Sequence, residues 1–74
     1  MPNTSFSLRG DHITLDALLK AQGLADSGGH AKQLIAAGAV RVNGEVETRR
    51  GRKMRAGDRV TLGDDEVVLV AGAA

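Results

Sequence analysis

The chain contains no cysteine, tryptophan or tyrosine, and Phe6 and Pro2 are its single phenylalanine and proline. Without cysteine there is no disulfide, no thiolate nucleophile and no cysteine-held zinc. His12 and His30 are far apart, and neither has a second histidine or a carboxylate at a standard ligand spacing, so neither a metal nor a cofactor is expected. No apolar run approaches the roughly 18 residues of a membrane-spanning helix, so no membrane role is expected. Met1-Pro2-Asn3-Thr4-Ser5 has neither the basic lead nor the apolar stretch of a secretion signal, which makes a cytoplasmic protein the default expectation. The scarcity of aromatics matters too. Modules that read single strands stack bases on several aromatic side chains, and one phenylalanine cannot build such a platform.

No catalytic constellation appears either. Ser27 and His30 are close in sequence, but no acid is placed to orient the histidine as a triad requires. The glycines follow neither phosphate-loop pattern. An enzyme is therefore not expected.

What remains is an ordinary globular composition, 42% hydrophobic and 26% charged, in 74 residues, enough for a single domain over 1–74. The net charge is only +1, yet half of the ten Lys and Arg residues fall between 49 and 55, as Arg49, Arg50, Arg52, Lys53 and Arg55, with no acid among them. A cluster of one sign creates a local field even when the total is near zero.

Ser5-Phe6-Ser7-Leu8-Arg9 alternates polar and apolar residues and predicts a short strand, broken by Gly10-Asp11. Thr14 can cap a helix over 15–22, where Leu15, Leu18 and Leu19 form one stripe. Gly23 suits the left-handed stop, with Leu19 and Leu24 as its hydrophobic pair. Asp26 or Ser27 can cap a second helix over 28–37, with Ala31, Leu34 and Ile35 on one side and Gly38 as its stop. Val40-Arg41-Val42-Asn43-Gly44-Glu45-Val46 is the clearest local signal, because Asn-Gly between alternating apolar residues favours a type I′ hairpin. Residues 49–55 read as a basic connector or irregular strand, 56–58 as a turn, 59–62 as a strand, 63–65 as a turn and 66–70 as a last strand. Ala71-Gly72-Ala73-Ala74 reads as a frayed tail. A strand, two helices and then an antiparallel meander predict an α+β fold, with the helix pair on one face of the sheet.

Thr14-Leu15-Asp16-Ala17-Leu18-Leu19, Ser27-Gly28-Gly29-His30-Ala31-Lys32-Gln33-Leu34-Ile35, Gly38-Ala39-Val40-Arg41-Val42-Asn43-Gly44-Glu45-Val46 and the later Gly57-Asp58-Arg59-Val60 together resemble the S4-type RNA-binding domain. The resemblance covers about residues 13–62, and the short length is similar to the bacterial YbcJ-like subgroup. It implies two helices packed on a small, curved, mostly antiparallel sheet, with RNA lying against the second helix and the adjoining basic loops. It also implies that Lys32 is an RNA contact. Many members carry arginine where this chain has Thr14 and Gly28, so two frequent phosphate contacts are missing.

Each candidate has a plainer alternative. Arg49, Arg50, Arg52, Lys53 and Arg55 suit phosphate, since arginine's planar fork matches it, although a charge run is often only a solvated loop. Gly28 and Gly29 could let a phosphate reach the free N–H groups of the second helix, or could simply loosen its start. His30 could add a donor there, or lie idle at the surface. Lys32 and Gln33 fall on the polar side of that helix, and exposure alone would explain them. Arg41, alternating with Val40 and Val42, could extend the patch, and Lys20 is a weaker candidate. Asn43 is better explained by its turn, and Asp16 by the positive end of the first helix.

The function expected is binding of structured RNA, with ribosomal RNA among the candidates, through phosphate and shape. Three alternatives remain: a protein adaptor whose basic run meets an acidic partner, a DNA-binding module, and a small sulfur-carrier-like protein. The Ala71-Gly72-Ala73-Ala74 ending argues against the last, because such carriers need a terminal Gly-Gly.

Overall fold

In the computed structural model, which describes residues 3–72, Asn43 and Gly44 both take positive φ, 53° and 88°. This is the turn their sequence favours, and it joins β3 (Val40–Val42) to β4 (Glu45–Val46). Asn43 does more than turn the chain. Its side chain donates to Asp58 Oδ1 (3.1 Å) and accepts from the Arg59 N–H (3.0 Å), fastening the hairpin to the next strand of the sheet.

Both helices end as their glycines predict. In α1 (Leu15–Ala21), Leu24 N–H bonds the Leu19 carbonyl and Gly23 N–H the Lys20 carbonyl, the paired bonds of a Schellman stop. In α2 (Gly28–Ala36), Ala39 N–H and Gly38 N–H close onto Leu34 and Ile35 in the same way. Each helix is one residue shorter than its sequence suggests. Helices this short are marginal alone, so burial holds them: Leu15, Leu18, Leu19, Ala31 and Ile35 are all fully buried.

The remaining strands are β1 (Asn3–Ser7), β2 (Ile13–Thr14), β5 (Lys53–Met54), β6 (Arg59–Leu62) and β7 (Asp65–Val70). Five strands form one sheet in the order β1-β7-β6-β3-β4, antiparallel except for the parallel β1–β7 pair. The observed class is thus α+β with a mostly antiparallel sheet. Three expectations need correction. β1 starts two residues earlier than its alternation suggests and stops at Ser7, although the Leu8 N–H still bonds the Val70 carbonyl (3.0 Å). The meander is interrupted, because β5 leaves the main sheet and pairs with β2. Thr14 stands at the start of α1, but its side chain caps nothing. Of the expected tail, Ala71 and Gly72 form no regular element, and Ala73 and Ala74 lie outside the described residues.

Alternation sorts the sheet into two faces. Val40, Val42, Val60, Val67 and Leu69 join the helix leucines and Met54 in one buried cluster. Arg41, Thr61, Arg59 and Glu66 occupy the opposite face, in register Arg41–Thr61–Glu66 across β3, β6 and β7. Among the described residues, no helix is long and apolar enough to cross a membrane.

Candidate nucleic-acid interface

The basic segment begins with an acid. Glu47 is only 7% exposed, whereas every other charged residue described is better exposed. Its carboxylate accepts from the Arg49 backbone N–H (3.1 Å), Arg49 Nε (3.0 Å), Arg49 Nη2 (3.3 Å) and Arg52 Nη1 (2.9 Å). The bond to the Arg49 side chain, then the bond to Arg52, then the Arg49 backbone N–H hold the Glu47 carboxyl down at about 2, against a smaller opposing effect of burial. The same pairing raises the Arg49 guanidinium above its usual value. The cluster is therefore not the uninterrupted positive field that the run 49–55 suggests. Five cations and one carboxylate leave +4 over 47–55.

The backbone of this segment is equally committed. The Arg52 carbonyl accepts the Leu15 N–H (2.9 Å) and the Arg50 carbonyl accepts the Asp16 N–H (3.1 Å). These are the first two N–H groups of α1, which have no partner within the helix. The basic loop thus supplies the cap that Thr14 does not. Directly after it, β5 pairs with β2, setting Ile13 opposite Met54 and Thr14 opposite Lys53, and Met54 is fully buried. Carbonyls and a methionine face inward, leaving Arg49, Arg50, Lys53 and Arg55 exposed and Arg52 half-buried.

The other candidates are spread more widely. Lys20 is exposed in the last turn of α1, about 8 Å along the axis from Leu15. Lys32 and Gln33 are exposed on α2, which packs against α1. Gly28 and Gly29 are exposed at the start of α2. A Cβ would meet nothing at Gly28 and only Ser27 Oγ, at 3.8 Å, at Gly29, so the fold does not require glycine at either position. Ser27 is the cap, its Oγ accepting the His30 N–H (3.1 Å). His30 is partly committed, because its Nδ1 accepts the Asp26 N–H (3.0 Å). That bond assigns the ring proton to Nε2, the one nitrogen left for a ligand. Arg41 is exposed but faces away from the helix layer, beside the Arg59–Glu66 ion pair (3.1 Å), with a long bond from Nη1 to the Gly44 carbonyl (3.4 Å). It does not extend the surface that α1 and α2 present.

Arg9, outside the sequence-derived set, also comes in. Arg9 and Arg55 line one open groove of about 850 Å³ together with Asp11. Arg9 borders a smaller groove of about 420 Å³ with Phe6 and His12. Both grooves share Ser7, Leu8 and Arg9, at the end of β1 and just beyond it. Glu47 was missed as well, because it lies outside the cation run and only the fold reveals its burial. Among the described residues, no three His, Asp or Glu side chains come together as metal ligands would.

A two-helix layer on a mostly antiparallel sheet is the arrangement that the S4-type resemblance implies, and the fastening of the basic loop to the start of α1 is added to it by the structure. The family model described as S4 domain matches residues 6–71, and the chain belongs to that family. It is 44% identical over 68 residues to YbcJ of Escherichia coli (strain K12), covering 90% of this chain and 97% of that protein, whose name provisionally assigns RNA binding. It is 41% identical over 56 residues to RlbA of Bacillus subtilis (strain 168), covering 76% of this chain and 79% of that protein, whose name provisionally assigns ribosome maturation. The solution structure of E. coli YbcJ, described as having an ALFAL motif involved in RNA binding, superposes with a TM-score of 0.70 over 90% of this chain and 86% of that one.

Proposed function

We propose that the chain is a non-catalytic RNA-binding module that grips structured RNA by its phosphate backbone. Residues 49–55 form the main contact, with Lys20, Lys32, Gln33 and the Gly28-Gly29 start of α2 beside them. One observation carries this reading. The basic segment is tied through its carbonyls to the N–H groups of α1 and through Met54 to the core, so its side chains project from a fixed backbone. Fixed cations suit a rigid polyanion better than a flexible partner. The names of the relatives support RNA, and that of RlbA favours a ribosomal one. With Phe6 the single aromatic, recognition rests on backbone and shape rather than base stacking.

The test is binding to a stem–loop RNA, a single-stranded RNA and a DNA duplex across a salt series. The comparison protein carries Arg50→Ala, Lys53→Ala and Arg55→Ala, leaving the Glu47 contacts intact. Contact with about four phosphates gives a slope of log K against log salt of roughly −3 to −3.6, and the variant, which keeps Arg49 and Arg52, brings it toward about −2. Preference for the stem–loop supports the reading. Equal weak binding to all three reduces it to general attraction for polyanions, and no binding at low salt redirects the search to an acidic protein partner.

A further inference from the structure

Glu47 carries the same charge as the ligand proposed for its neighbours, yet it is the best buried charged residue described and lies at the head of the basic segment, paired with two of its arginines. On charge alone this is a poor place for a carboxylate, since it repels phosphate and subtracts from the field. Its contacts suggest a use. Two side chains and one backbone N–H converge on it from Arg49 and Arg52. Arg49 is held at Nε and Nη2 while its side chain remains 75% exposed. A guanidinium has five N–H donors, so Arg49 keeps donors for a second anion while its orientation is fixed by the first. Arg52, held at Nη1 and 32% exposed, also provides the carbonyl that accepts the Leu15 N–H. The carboxylate thus connects guanidinium orientation to the backbone that receives α1.

We infer that Glu47 is a positioning residue for RNA binding, aiming the Arg49 and Arg52 guanidinium groups at phosphate and holding loop 48–53 in its bound shape before the ligand arrives. This rests on the RNA-binding reading above. Preorganisation spares the ordering cost that two long, rotamer-rich side chains otherwise incur on binding.

The inference opposes simple electrostatics in sign, which makes it testable. Glu47→Gln raises the local charge by one and strands no buried cation, because both arginines reach solvent. The probe is the same stem–loop RNA across the same salt series, with amide hydrogen exchange of the free proteins measured in parallel. Positioning gives faster exchange across 48–53, unchanged exchange at Leu18 and Ile35, and binding weaker by roughly fivefold or more despite the added charge. Glu47→Ala gives the same pattern. Equal or tighter binding by Glu47→Gln, or a steeper salt slope, overturns the inference, because Glu47 would then merely mask two cations. Unchanged exchange across 48–53 overturns it too. Failure of the unaltered protein to bind the stem–loop overturns the RNA reading and this inference with it. Exchange across 48–53 then shows separately whether the carboxylate orders the loop.

Discussion

At residues 47–54 the cations sit on backbone held by the core, whereas at the start of α2 two exposed glycines sit on a helix end held by a single serine. The first region commits two carbonyls to α1, a buried methionine to the core and a carboxylate to two arginines. The second has the Ser27 cap and the His30–Asp26 bond, and beyond them open space. The difference separates two ways of meeting a phosphate. The loop offers charge at fixed positions. The helix start offers N–H groups and room for close approach, with Lys32 as the nearest Lys or Arg in sequence.

The largest effect is expected where the loop joins the core. Met54→Ala leaves a cavity under β5 and costs about 2–5 kcal/mol in urea unfolding, a large part of the stability of so small a domain. A loss below about 1 kcal/mol would mean that the loop is not anchored there. Next, the Arg50→Ala, Lys53→Ala, Arg55→Ala protein should lose at least about tenfold in stem–loop affinity while its unfolding changes by less than about 0.5 kcal/mol. Third, Gly28→Ala with Gly29→Ala should stabilise α2 by up to about 1 kcal/mol per site and yet weaken RNA binding severalfold. Tighter binding in that variant would show that no phosphate approaches the helix start.

The last effect concerns acid. Glu47 ionises at about 2 in the folded chain, against 4.5 for an unheld glutamate. Its contribution to stability is therefore complete above pH 4.5 and is lost as the pH falls from there toward 2. Glu47→Gln should unfold with a shallower dependence on pH across that interval and be unaffected by the same titration above it. An identical profile would mean that the carboxylate is not held by its arginines.

Much of the architecture was legible because it is locally encoded. Asn43-Gly44 needs positive φ at both positions, and Gly23 and Gly38 end their helices through bonds made within a few residues. The stripe of Leu15, Leu18 and Leu19 depends on helical period alone. What escaped depends on distant partners. β2 and β5 have two residues each, too few for alternation to register, and they find each other across some forty positions. The parallel β1–β7 pair joins the two ends of the chain, and nothing in either strand specifies it. In the site, the cation run was visible, but the buried acid ahead of it was not. Glu47 reads as an ordinary hairpin residue until the fold buries it beside Arg52. Arg41 illustrates the opposite case. Its exposure followed from alternation, while the face it occupies followed only from the position of the helices.

Amide chemical-shift mapping during titration with the stem–loop RNA tests the central claim most directly. The account predicts shifts concentrated at 49–55, at the start of α1 and along α2 from Gly28 to Gln33, with Arg41, Arg59 and Glu66 on the far sheet face nearly silent. Shifts centred on that far face, or scattered evenly over the surface, would contradict it.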